Sequence, residues 1–394
     1  MLLSHAPQRL RKAHQSMQRV SDFLEKYNGW MRGAGKDHCD FALGNPQEMP
    51  MNEFVSALGA AVTPRDKNWY AYKMNESSSR DIVNSSLFNL TKRRYNSEDI
   101  FITNGATGAL LVTMNTLIER GDEVIYINPP WFFYEGMILN MGGSPVPVNA
   151  DSTTFDLDLA AIENAITSNT RFIIVNSPNN PTGKIYTPET LRQLSNLLES
   201  ASHRIGRPIY LVSDEAYRAI VYDGIEFQSA TNFYSNSIMV YTYGKALLTP
   251  GQRIGYVALS PEMHDLEQMR TAIWSSQILC GWAMASALMQ HSLKDLEAVS
   301  LNVSDLQRRR DKFVAGLRAS AYEVHVPEGA FYLTPKSPIK DDFRFVDLLT
   351  EEDVFCLPGS IVNMPGYFRV SISANDEMID RALPKFATAM KRLG

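Results

Sequence analysis

The sequence predicts an α/β protein: a large domain with a mostly parallel sheet covered by helices on both faces, plus a smaller α+β domain. Three observations carry this. Short apolar runs alternate with helical stretches from residue 99 to residue 242, the pattern of parallel strands joined by crossover helices. After Pro261 the alternation gives way to long helices, and from Glu323 to short strand-like pieces. At 394 residues the chain also exceeds what one hydrophobic core usually serves, so two domains are expected.

At the N-terminal end Leu10, Ala13, Met17, Val20, Leu24 and Tyr27 recur at three- and four-residue steps, which predicts an amphipathic helix. The Gly/Pro/Asn-rich stretch Phe41 to Pro50 then breaks regular structure, and a domain boundary is expected there. Helices are expected over 52–62 and 78–90. The strand-like runs follow at 99–103, 123–127, 144–148, 171–176, 208–213 and 237–242, with helices at 106–119, 131–141, 158–166 and 188–200 between them. Leu296, Val299, Val303, Leu306, Phe313 and Leu317 form a stripe read as one extended helix. Arg308, Arg309 and Arg310 within it read as a solvated face. Strand-like pieces at 330–334, 354–357 and 367–371 precede a last helix on Ile379, Leu383, Phe386 and Met390. The large domain is therefore expected over 46–290, and the small one from both chain ends, 1–45 and 291–394.

Composition narrows the function classes. A net charge of -5 spread over an ordinary globular composition gives no electrostatic reason to expect a nucleic-acid or membrane partner. Cys39, Cys280 and Cys356 lie far apart without metal-ligand spacing, so no metal is expected and a reducing, cytoplasmic setting is. Met1, Leu2 and Leu3 are too few for the apolar core of a secretory signal, and no run of eighteen or more apolar residues is present.

The chemistry centres on YTYGKALLTPGQRIGY, residues 241–256. Lys245 falls just past an apolar run read as a strand, where open α/β sheets place their chemistry. Arg253, eight residues on, has the fork geometry that suits a phosphate. A lysine amine beside such an arginine suggests pyridoxal phosphate held as a Schiff base. In TNGATGAL, residues 103–110, a strand runs into a helix, and the backbone of Gly105, Ala106 and Thr107 is placed to cradle a phosphate. In NSPNNPTGK, residues 176–184, prolines and a glycine fix the position of Asn180. In PIYLVSDEAY, residues 208–217, Asp214 ends a buried strand. A carboxylate there is costly to desolvate unless it meets a cation, and a protonated pyridine nitrogen is one. Tyr217 follows three residues on, within reach of the same ring.

NPTG at 180–183, DEAY at 214–217, GK at 244–245 with an arginine eight residues on, and FRVS at 368–371 occur in that order. Together with LGNP at 43–46 and EGAFY at 328–332, the set resembles the class I/II aminotransferases of the fold type I pyridoxal-phosphate enzymes. The resemblance covers nearly the whole chain. It implies pyridoxal 5'-phosphate as cofactor, an amino acid and a 2-oxo acid as substrates, and a homodimer with shared active sites. By position, Lys245 matches the lysine that carries the cofactor and moves the proton between Cα and C4′. Asp214 matches the partner of the pyridine nitrogen, and Tyr217 and Asn180 the groups on the ring oxygen. Thr242, Arg253 and the backbone around Ala106 and Thr107 match phosphate ligands, Trp131 the aromatic stacked on the ring, and Tyr70 the tyrosine that reaches the phosphate across a dimer interface. Arg369 matches the arginine for the substrate α-carboxylate, with Gly44 and Asn180 beside it. Gly244 stands where the family usually has a hydroxyl residue.

The same cofactor shell also serves elimination, replacement, cyclisation or oxidation of an amino acid, so a lyase, a β/γ-replacement enzyme, a cyclase or an oxidase stays open beside transamination. A regulatory protein that binds the cofactor without turnover would need a DNA-binding module, for which no spare length is expected. Trp30 and Arg32, ahead of Gly44, are expected to line the pocket for the substrate side chain.

Overall fold

A computed structural model describes residues 5–393, so Met1, Leu2 and Leu3 lie outside the described residues. The N-terminal stripe is carried by two helices, α1 (Gln8–Ser16) and α2 (Gln18–Gly33), rather than one. The break falls at Met17, whose sulfur packs so closely on Gly136 that a β-carbon there would sit 2.7 Å from it. After β1 (Cys39–Asp40) come α3 (Asn52–Val62) and α4 (Ser77–Thr91), close to their predicted bounds.

The alternating region follows as β2 (Ile100–Thr103), α5 (Gly105–Leu117), β3 (Glu123–Asn128), α6 (Tyr134–Met141), β4 (Ser144–Asn149), α7 (Leu159–Ala165), β5 (Thr170–Asn176), α8 (Pro188–Ile205), β6 (Tyr210–Asp214), β7 (Ser237–Thr242), α9 (Tyr243–Ala246) and β8 (Gly255–Leu259). These strands form one seven-stranded sheet in the order β2-β8-β7-β6-β5-β3-β4. Only β8 runs antiparallel to its neighbours β2 and β7, while β3, β4, β5, β6 and β7 pair in parallel. The sequence reading missed β8.

Local chemistry explains the helix bounds. In α8 the Thr187 side chain caps the first turn, Pro188 sits where no N–H is needed, and Gly206 ends the helix at φ 79°. Its inward stripe, Leu191, Leu194, Leu198 and Ala201, is buried, and each leucine contributes roughly 2 kcal/mol of apolar burial. The strand interiors are apolar on both faces because helices cover both.

The remaining elements are α10 (Leu266–Leu279), α11 (Ala287–Glu297), α12 (Val303–Ala319), β9 (Tyr332–Leu333), α13 (Asp342–Glu351), β10 (Val354–Phe355), β11 (Leu357–Pro358), β12 (Phe368–Ser371) and α14 (Asp376–Lys391). The single helix expected across Leu296 to Leu317 is two, because α11 ends at Glu297 and α12 begins at Val303. The N-terminal strand β1 pairs in parallel with β10, and β11-β12-β9 form a separate antiparallel sheet. Chain ends far apart in sequence thus share one layer.

Of the arginine run on α12 only Arg308 is a solvated residue, and all three are paired. Arg308 pairs with Asp376, Arg309 with Glu48, and Arg310 with Asp223. The Arg309 and Arg310 side chains keep only 10% and 2% of their exposure. Arg309 Nε also shares Asp376 with Arg308, at 3.3 Å, while Arg310 is turned around the helix toward Asp223. Among the described residues no helix is long and apolar enough to cross a membrane.

Candidate active site

The carboxyl ends of the parallel strands converge on one cavity of about 200 Å³. Asp214 ends β6 and Thr242 ends β7, while Trp131, Asn180, Tyr217 and Lys245 follow within a few residues of β3, β5, β6 and β7. Because β8 enters the sheet from the opposite direction, its leading residue Gly255 pairs with Thr103 and Thr242, which brings Arg253 to the same edge. Leu43, Gly44, Tyr332 and Arg369 close the cavity from the other side.

An anion cradle forms where α5 begins. Gly105 adopts φ +75°, and a β-carbon there would lie 2.9 Å from Arg253 Nη2 and 3.2 Å from Thr242 Oγ1. The backbone therefore approaches both groups as only glycine permits. Ala106 and Thr107 line the cavity beside them, and the free N–H groups of the first turn favour an anion. Thr242 also caps the short helix α9, its Oγ1 accepting from Gly244 N. The missing hydroxyl at Gly244 has a steric counterpart: a β-carbon there would meet Pro250 Cα at 3.2 Å and the Thr249 carbonyl oxygen at 3.3 Å.

Asp214 is 4% exposed. Its Oδ2 accepts from the Tyr134 hydroxyl at 2.5 Å and its Oδ1 from Ala216 N at 3.2 Å. Burial pushes its carboxyl up to about 6, against the opposing pull of the Tyr134 hydrogen bond. None of the ion pairs among the described residues includes Asp214, so the carboxylate is held without a cation. Asn176 braces the neighbourhood: its Nδ2 donates to the Asp214 carbonyl at 2.9 Å, and its Oδ1 accepts from Asn180 N at 2.8 Å.

Arg369 is the complementary case, a guanidinium 2% exposed. Nη1 donates to Asn180 Oδ1 at 3.0 Å and Nη2 to the Ala42 carbonyl at 2.9 Å, while Nε is buried without a partner. A buried cation bonded only to neutral acceptors is arranged to receive an anion.

Lys245 faces the aromatic wall between these charges. Its Nζ lies 5.8 Å from the Tyr217 ring centre and 5.5 Å from that of Phe331. The Tyr217 hydroxyl is 3.1 Å from that of Tyr332. Burial raises the Tyr217 phenol well above its ordinary value. In Tyr332 burial acts the same way, but the Lys245 and Arg369 charges outweigh it and hold that phenol below its ordinary value.

All but three of the residues singled out in the sequence for the site meet at this cavity or its cradle. Tyr70 is 55% exposed, hydrogen-bonds the Val62 carbonyl and lines a separate surface cleft with Tyr72 and Trp282. Trp30 stacks on Phe355 and Arg32 is exposed, so neither lines the cavity as expected. Tyr134, Asn176 and Tyr332 were missed, although Asn176 opens NSPNNPTGK, Tyr332 ends EGAFY and Tyr134 stands three residues after Trp131.

An α/β sheet whose strand ends gather a lysine amine, an uncompensated carboxylate and an anion cradle in one cavity defines an enzyme site. The chain belongs to the family of aminotransferases of class I and II, whose model matches residues 80–386, and it is a transferase of fold type I. It is 30% identical over 360 residues to a probable aspartate aminotransferase of Methanocaldococcus jannaschii, covering 89% of this chain and 92% of that protein. It is 29% identical to a probable aspartate/prephenate aminotransferase of Thermus aquaticus, covering 92% and 94%. The crystal structure of an amino transferase from Eubacterium rectale superposes with a TM-score of 0.87 at 30% identity, covering 100% of this chain and 99% of that one.

Proposed function

We propose that this aminotransferase uses pyridoxal 5'-phosphate, bound covalently through Lys245, to move an amino group between an L-amino acid and a 2-oxo acid. The observation that carries the reading is that one cavity joins Lys245 and the anion cradle to two uncompensated charges of opposite sign, Asp214 and Arg369. Each of the cofactor's charged parts finds a counterpart among them. Bound there, the cofactor supplies a covalent anchor for an amino group and an electron sink for charge left at a substrate carbon.

The chain's residues do the rest. Gly105, Ala106 and Thr107 at the start of α5 hold the phosphate with Thr242 and Arg253. Asp214 would take the pyridine nitrogen, and Tyr134 fixes which way that carboxylate points. A cationic N–H there would offset the burial that pushes the carboxyl up. Asn180 and Tyr217 would hold the ring oxygen, and Trp131 would offer the ring an aromatic face. Arg369 takes the substrate α-carboxylate, with Gly44 and Asn180 at its side. Lys245 Nζ would serve as the base that takes the proton from the substrate Cα.

Lys245, Arg253 and Arg369 are the cations lining the cavity. With these assigned to cofactor and α-carboxylate, the substrate side chain is left to the uncharged residues of this chain's lining and to whatever the second copy contributes.

We further propose a cytoplasmic homodimer, with the large domain over 46–290 and the small one formed by 1–45 and 291–394. What supports the dimer is exposed apolar surface for a partner to cover: Tyr72 is 91%, Met49 90% and Leu279 79% exposed. In that assembly Tyr70 reaches the phosphate of the other copy.

Single-turnover mixing of the purified protein with each common amino acid tests the reaction. A 2-oxo acid together with an aminated cofactor is expected from the amino acids that the enzyme accepts. Released ammonia or a lost side-chain leaving group would replace transamination with elimination or oxidation.

A further inference from the structure

We infer that Asp40 is a positioning residue for the substrate arginine: it fixes the carbonyl on which Arg369 rests, and Tyr27 of the N-terminal helix α2 fixes Asp40 in turn. The inference rests on the reading of Arg369 as the group that takes the substrate α-carboxylate.

A guanidinium has five N–H donors. Among the described residues those of Arg369 meet two acceptors, Asn180 Oδ1 and the Ala42 carbonyl oxygen. Its centre also lies 4.2 Å from that of the Tyr332 ring. These three contacts set the direction of the donors left for a substrate. Asn180 stands in the turn after β5 and Tyr332 on β9, while the Ala42 carbonyl belongs to the segment that follows β1.

That segment depends on Asp40. The strand β1 is two residues long. Beyond it, Phe41 N donates to the Phe355 carbonyl and the Phe41 carbonyl accepts from Ser371 N, so Phe41 spends both backbone groups on its flanking strands. Ala42 is fully buried, and its N–H donates to Asp40 Oδ1 at 3.1 Å. A backbone N–H can only donate, so the direction of this bond is fixed, and without the side-chain oxygen a buried donor is left unpaired. The second oxygen, Oδ2, shares a hydrogen bond of 2.7 Å with the Tyr27 hydroxyl. That bond ties the carboxyl group to α2 whichever of the two oxygens carries the proton.

Asp40 is 5% exposed and Tyr27 7%, and neither lines the cavity. A buried carboxyl group is costly to keep, and both oxygens of this one are used to hold other groups. Asp40 therefore reaches the substrate only through the Ala42 peptide. A peptide free to turn would let the Arg369 fork lose its alignment with a carboxylate, whose two oxygens it meets bidentately.

The test compares an accepted amino acid with the amine left when its α-carboxyl group is removed, in single-turnover reactions of the holoenzyme followed by the cofactor's visible absorbance. The variants are Asp40→Ala, Asp40→Asn, Tyr27→Phe, Arg369→Met, and Asp40→Ala combined with Arg369→Met. Asp40→Ala is expected to raise the half-saturating concentration of the amino acid about tenfold, the size of one lost hydrogen bond, and to leave the amine unchanged. Asparagine keeps an oxygen for Ala42 N, so Asp40→Asn is expected to restore most of the loss. Tyr27→Phe, which frees only one end of the carboxyl group, is expected to cost about threefold on the amino acid alone. In the Arg369→Met background Asp40→Ala is expected to add nothing.

An equal loss on amine and amino acid, or an additive loss in the double variant, would overturn the inference. So would a wild-type response in Asp40→Ala, or in Tyr27→Phe should Asp40→Ala not fold. If Arg369→Met slows amine and amino acid alike, the reading of Arg369 falls and this inference with it; that comparison uses no Asp40 variant, so the two failures are distinguishable.

Discussion

Arg369 donates to Asn180 Oδ1 at 3.0 Å, so the guanidinium waiting for a carboxylate and the amide of the NPTG turn act as one unit. A buried cation without an anionic partner costs stability that substrate binding recovers. Arg369→Met is therefore expected to lower kcat/KM for amino acids by at least about 100-fold while leaving thermal stability unchanged or raised. Steady-state kinetics beside thermal denaturation checks this. A variant that keeps substrate affinity, or melts far below the wild type, would contradict it.

The carboxyl of Asp214 is displaced upward, from 3.8 to about 6, by burial. The folded state then binds more protons than the unfolded state between those values. Its contribution is fully present below pH 4 and is lost as pH rises through about 6, a change on the order of 3 kcal/mol. Protein prepared without cofactor is expected to melt at falling temperature across that window, and Asp214→Asn to lose that slope. Added pyridoxal phosphate, which gives Asp214 a cation, flattens it in the wild type. Melting curves at graded pH read all three, and equal slopes in wild type and variant would count against the carboxylate's isolation.

Gly105 holds a left-handed backbone against Arg253 and Thr242. Gly105→Ala places a methyl group inside the anion cradle and strains the turn, costing roughly 1 kcal/mol or more from the backbone alone. Its affinity for pyridoxal phosphate is expected to fall at least about tenfold. Equilibrium titration with the cofactor measures it.

The arginines of α12 separate by burial. Arg310→Ala strips a side chain 2% exposed of its Asp223 partner and its Pro327 carbonyl contact, and is expected to destabilise the fold by about 3 kcal/mol. Arg308 is 53% exposed, and its removal changes stability little. Denaturant midpoints of the two variants give the comparison.

How far these features are legible in the sequence depends on the range of the interactions behind them. The parallel strands announce themselves because each is a local apolar run between turn residues, and Asp214, Asn180 and Lys245 follow from their places at strand ends. The strand β8 was hidden because Gly255 to Leu259 falls directly behind the Lys245 motif, with no helix to mark a crossover. Periodicity runs unbroken through Met17, so it could not show the break there, where the sulfur packs on Gly136, distant in sequence. The Tyr134 bond to Asp214 joins residues 80 apart, and the Arg309 pair with Glu48 joins residues 261 apart. Such partners are set by the folded chain and leave no local pattern.

The account rests on Lys245 as the residue that carries the cofactor. Borohydride reduction of the protein loaded with pyridoxal phosphate, followed by peptide mapping, tests this directly. The account predicts a single label on Lys245, lost in Lys245→Ala. A label on a different lysine, or none, would contradict it.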